Sequence, residues 1–146
     1  MIDLTTLIVM ILSAATPILF AALGELIVER AGVLNLGVEG MMITGALAGF
    51  AAAHATGSPA MGFAAAAVAG AALSMIFGFL TQFLLTNQVA TGLALTLFGL
   101  GLTALFGKPY EGVKAPSMVQ GPLGINWIIW LGLFVNAALG LRVITF

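Results

Sequence analysis

Cysteine is absent from the chain, so disulfides and thiolate metal sites are excluded. Charge is nearly absent as well: Asp, Glu, Lys and Arg make up 6% of the residues, where about a quarter is usual in a soluble domain. With 62% hydrophobic residues and a mean hydropathy of +1.22, the chain has too little polar surface to face water on all sides. It reads as an integral membrane protein. No basic cluster exists, so neither a nucleic-acid partner nor a basic surface-binding helix is implied. The N-terminus, MIDLTTLIVMILSAATPILFAALGE, lacks the basic region of a secretory signal and carries Asp3 instead. Its apolar run is too long for a signal core, and it reads as a retained span. A single histidine, His54, has no second His or Cys with which to complete a metal set and is read as an interfacial or packing residue. Catalytic constellations are missing too: there is no Ser, His and Asp set, no HExxH and no phosphate-binding loop. An enzyme would have to run on Glu29 and Glu39 alone, so the chain reads as a non-enzyme with no cofactor.

What is present is a series of apolar runs, each near the roughly 20 residues that cross a bilayer core of about 30 Å as a helix. The expected fold is all-α, a polytopic transmembrane helix bundle in one domain, with spans over about 4–23, 38–55, 61–85, 89–106 and 126–139. Pro17 lies in the second half of the first span, where neighbouring helices can repair the carbonyl it frees. Gly45 and Gly49 form a GxxxG face in the second span, and Gly70, Ser74 and Gly78 form another small-residue face in the third. The short polar turn Thr56-Gly57-Ser58-Pro59 makes the helices around it antiparallel neighbours. Asn87 and Gln88 interrupt the apolar sequence before the fourth span, where on residue chemistry alone helix capping is favoured over a pathway role; in that span Thr91, Thr96 and Thr103 are available for interhelical hydrogen bonds. The longest polar connector, Lys108 to Gly124, precedes a fifth span that opens on Trp127 and Trp130, as an interfacial aromatic belt does.

One stretch departs from this pattern. Gly24 to Gly45, GELIVERAGVLNLGVEGMMITG, holds Glu25, Glu29, Arg30 and Glu39, four of the nine charged residues, among Gly24, Gly32, Gly37 and Gly40. Glycines at this spacing break helices, and acidic and amide side chains at membrane depth are costly unless they face protein, water or solute. A broken helix segment is therefore expected near residues 24–45. Glu29, Arg30, Asn35, Gly37, Glu39 and Gly40, with Asn87 and Gln88, are the candidates for lining a pathway or bracing the break. The other reading of Glu29, Arg30 and Glu39, an ion-paired structural knot, stays open on sequence grounds.

The run GELIVERAGVLNLGVEGMMITGALAGF, followed by NQVATGLALTLFGLGLT, resembles the permease subunits of bacterial ABC importers of the ribose, branched-chain amino acid and nucleoside group. It is most similar to the nucleoside and simple-sugar permeases. The resemblance covers almost the whole chain and rests on Glu29-Arg30, Asn35-Leu36-Gly37, Glu39-Gly40 and Asn87-Gln88. It implies a multi-pass protein of the bacterial inner (plasma) membrane. The implied partners are a second, homologous permease subunit, a cytoplasmic ATP-binding subunit that carries out the hydrolysis, an extracytoplasmic solute-binding lipoprotein, and membrane lipid. Such permeases are about twice as long, and Gly140-Leu141-Arg142 resembles the approach to their cytoplasmic coupling helix, so the chain is expected to be a fragment corresponding to the N-terminal half. The same resemblance places the N-terminus outside, with Arg30 inside and Lys108 and Lys114 outside. Two other classes remain: a small noncatalytic membrane assembly protein held by its Gly and Ala faces, and an ion-coupled secondary transporter using Glu29 or Glu39.

Overall fold

A computed structural model of the chain describes residues 3–117 and 127–144. The architecture is an all-α membrane helix bundle, built of α1 (Leu4–Arg30), α2 (Val38–Thr56), α3 (Pro59–Gly78), α4 (Gln88–Phe106) and α5 (Trp127–Ile144). A five-residue π-helix, Phe79–Phe83, extends α3, and a 3-10 turn, Lys108–Tyr110, follows α4. Among the described residues, three helical stretches are long and apolar enough to cross a membrane: Thr6–Arg30, Pro59–Phe83 and Gln88–Phe106. α2 carries Glu39 in its first turn and His54 in its last and is less apolar, while the apolar part of α5, Ile129–Ala138, is shorter. Large side chains stand bare on the helices, with Val68, Met75 and Leu97 all 70% exposed or more, as suits lipid or protein contact rather than water. The expected connector residues 118–124 lie outside the described residues.

Helix ends follow from local chemistry. α1 runs through Gly24, Glu25 and Glu29 and stops at Arg30, because the left-handed residue that terminates it is Gly32, at φ +81°. The break expected from Gly24 onward is thus confined to the seven residues between Arg30 and Val38. Pro17 sits within α1, and the Ser13 and Thr16 hydroxyls beside it donate to the Val9 and Leu12 carbonyls. Gly57, at φ +66°, ends α2, and Pro59 opens α3 at a position where its missing N–H costs nothing. After the π-helix, Leu85 turns through φ +52° and Asn87 starts α4 by accepting the Ala90 N–H on its side-chain oxygen at 3.1 Å.

The chain divides into two compact units: Met1–Ala31 with Met118–Phe146, and Gly32–Ser117. In the first, α5 meets α1 at Gly132, where a Cβ would stand 2.7 Å from Thr16 Cγ2 and 2.8 Å from Phe20 Cε2. In the second, α2 lies between α3 and α4. Its Gly45 and Gly49 meet Ala66 and Gly62 of an antiparallel α3; a Cβ on Gly49 would approach the Gly62 carbonyl oxygen to 2.9 Å. The GxxxG pair therefore forms a real close approach. The face expected at Gly70, Ser74 and Gly78 does not: Ser74 is exposed, Gly78 has nothing within 4 Å of a would-be Cβ, and Gly70 has only the Met41 carbonyl at 4.0 Å. Leu73, Phe77 and Leu95 form the buried apolar centre of this unit, with Val33 and Met41 packed on it.

Candidate functional site

The second unit brings the break, the start of α2 and the first three turns of α4 together. The pairings run in register: Leu34 with Gln88, Leu36 with Gly92 and Thr96, and Gly40 with Gly99. Segment 34–40 and α4 therefore run in the same direction. Gln88 Oε1 accepts the Leu34 N–H at 2.8 Å, and the Thr96 hydroxyl donates to the Leu36 carbonyl at 3.0 Å. Both bonds satisfy main-chain groups that have left a helix, groups that lipid cannot satisfy. Between and beyond them the contact is backbone on backbone. A Cβ on Gly92 would stand 2.9 Å from the nitrogens of Leu36 and Gly37, and one on Gly99 would stand 2.6 Å from the Gly40 oxygen. A Cβ on Gly40 would meet the Leu95 oxygen at 2.6 Å.

The sequence candidates separate into distinct roles. Asn35 is buried; its Oδ1 accepts the Gly37 N–H at 2.9 Å and its amide nitrogen lies 3.7 Å from Met41 Sδ, so it braces the turn from within. Gly37 and Gly40 are buried against α4, and Gln88 is half-buried beside Leu34. Asn87 is exposed and caps α4. Glu39 is exposed in the first turn of α2, where the positive end of the helix favours a carboxylate, and it pairs with no cation in its unit. Glu29 and Arg30 are exposed on the last turn of α1, in the other unit, and form no ion pair there among the described residues. No group of His, Asp and Glu that could hold a metal occurs among the described residues.

Several residues of the junction were not singled out by sequence reasoning: Gly92, Leu95 and Gly99. Their signal was the spacing of Gln88, Gly92, Thr96 and Gly99, which puts small and polar residues on one stripe of α4. Of the threonines expected to bond between helices, Thr96 reaches Leu36, whereas Thr103 bonds the Gly99 carbonyl of its own helix and Thr91 pairs with Thr86. His54 packs among rings, stacked on Phe50 at 6.4 Å and edge-on to Tyr110 at 6.2 Å.

No solved structure matches the chain. Among curated proteins, one provisionally named a glucose ABC transporter permease, from Haloferax volcanii, is 52% identical over 126 residues, covering 85% of this chain and 38% of its own length. The guanosine ABC transporter permease of Bacillus subtilis is 31% identical over 124 residues, covering 81% of this chain and 39% of its own. The chain thus spans about two-fifths of the length of the curated relatives it matches. The family described as the permease component of branched-chain amino acid transport systems matches residues 7–144, and a membrane chain matched over nearly its whole length belongs to that permease family.

Proposed function

We propose that the chain forms part of the solute pathway of a permease subunit in an ATP-driven importer, moving a nucleoside or a simple sugar across the cytoplasmic membrane. The observation that carries this reading is the non-helical segment 31–37, whose main chain is held by α4. The break follows a full span, Thr6–Arg30, and lies beside the first turns of α4, where irregular backbone packed in protein can border a water-filled path. The sugar and the nucleoside named for the two relatives are uncharged polar solutes. The uncharged amides of Asn87 and Gln88 suit them, because the oxygen of each is spent on a main-chain N–H while the nitrogen keeps its donors. Asn35, Gly37 and Gly40 hold the break, Glu39 stands at its α2 side, and Glu29 and Arg30 mark where α1 ends. The partners are a second permease subunit, a cytoplasmic subunit that hydrolyses ATP, and an extracytoplasmic solute-binding lipoprotein; the chain itself performs no catalysis.

The test is uptake of labelled guanosine and labelled glucose by cells producing the chain with an ATP-binding subunit and a binding protein. Uptake of one of them should stop on ATP depletion and persist when ion gradients are collapsed, and Asn35→Ala and Glu39→Gln should lower it at unchanged membrane yield. Uptake that survives ATP depletion and fails with the ion gradient would instead assign the carboxylates to ion coupling. Normal solute handling with a reduced yield of both variants would leave these residues a structural role only.

A further inference from the structure

Segment 34–40 meets α4 through its main chain. The Leu34 N–H, the Leu36 carbonyl and the backbone of Gly37 and Gly40 make the contacts, while the side chains of Leu34 and Leu36 stay 40% and 39% exposed. The two α4 side chains that supply hydrogen bonds, Gln88 and Thr96, are two turns apart, about 12 Å along the helix. Between them Gly92, and beyond them Gly99, admit no side chain that could yield as a soft layer. A rocking of this segment against α4 would break both hydrogen bonds and drive backbone into backbone, so the contact has one arrangement rather than a range of them.

We infer that Gln88 and Thr96 are positioning residues that hold the main chain of Leu34–Gly40 on α4, so that the break and α4 move as one body during transport. The transport part of this statement rests on the permease reading above; the holding part rests on the two bonds and the glycine contacts alone. The residues that hold the break are thereby distinct from the exposed side chains of Leu34 and Leu36, whose substitution leaves the hold intact.

Hydrogen–deuterium exchange on the purified full chain in detergent micelles tests it. Gln88→Leu keeps the bulk and removes the acceptor; exchange at the Leu34 amide should rise about tenfold, the effect of losing one hydrogen bond. Gln88→Glu retains an acceptor oxygen and should restore slow exchange. Thr96→Val should speed exchange over residues 34–40, Thr96→Ser should not, and amides of α1 should be unaffected in all four variants. Unchanged exchange in Gln88→Leu and Thr96→Val overturns the inference, as does an equal rise in α1, which would report general destabilisation. Uptake measured in parallel separates the two readings: a local rise in exchange with unaltered uptake upholds the hold on α4 and removes the break from the solute pathway.

Discussion

Glycine serves two opposed purposes in this chain, and the space around each one tells them apart. At Gly99 an added methyl group would press on the Gly40 backbone, which cannot rotate away as a side chain can. Gly99→Ala should therefore cost about 2 kcal/mol by forcing α2 and α4 apart. Gly101, two residues on in the same helix, has nothing within 4 Å of a would-be Cβ, and Gly101→Ala should stabilise by about 0.5–1 kcal/mol by restricting the unfolded chain. Denaturation of the two purified variants in mixed micelles checks the pair, and the signs should be opposite. Thr44 offers a sharper case on α2. Its hydroxyl oxygen is buried and has no hydrogen-bond partner among the described residues. Thr44→Val, equal in shape, should be neutral or stabilising by up to about 1 kcal/mol in the same assay, because it removes a polar atom whose desolvation is uncompensated. A loss of stability there would show that the hydroxyl has a partner.

Elements in this molecule are bounded by a few residues with specific backbone chemistry. α1 survives a proline and a glycine in its interior, because lipid offers its backbone no competing partner and the helix is the state that satisfies its own N–H and C=O groups. It ends only where Gly32 goes left-handed. α4 begins where Asn87 takes up a free N–H of the first turn, after a π-helix and a left-handed Leu85 have reversed the chain. Because α4 carries both hydrogen bonds to the break, its start sets the register of the site. Asn87→Ala should cost about 1 kcal/mol and Asn87→Asp should cost little, since the aspartate oxygen accepts the same N–H and its charge suits the helix start. Circular dichroism during thermal unfolding of the two variants reads the difference.

For the molecule as a whole, the directions within Gly32–Ser117 make a statement about sides of the membrane. α2 and α4 run one way and α3 the other, so the Gly57 turn and the segment after α4 share one side, and Leu85 lies on the opposite side. The absence of cysteine makes single-cysteine labelling clean. Ser58→Cys and Lys114→Cys should react with an impermeant maleimide from the same side of sealed vesicles, and Leu85→Cys from the other. Ser58 and Lys114 labelling from opposite sides would mean that α3 and α4 do not both cross. The result also orients the chain, which the balance of two lysines against two arginines does not do by itself.

The sequence by itself determined the class and the approximate helices. Scarce charge and long apolar runs leave a chain no soluble fold, and in lipid an apolar run must be helical to satisfy its backbone. It also placed a break within residues 24–45, which the structure narrows to 31–37, and Gly45 and Gly49 on a contact face, because few residue types end a membrane helix or let two backbones approach closely. The tertiary structure alone decided which small residues touch what. Gly70, Ser74 and Gly78 have the same spacing as a packing face yet stand open, while Gly62 and Gly99 are pressed against backbone. Spacing fixes which residues share a side of a helix and says nothing of which side meets a neighbour, since that depends on where two helices cross. The same holds for Gln88 and Thr96: their partners, Leu34 and Leu36, lie more than fifty residues away and are main-chain atoms, which carry no signature in the sequence.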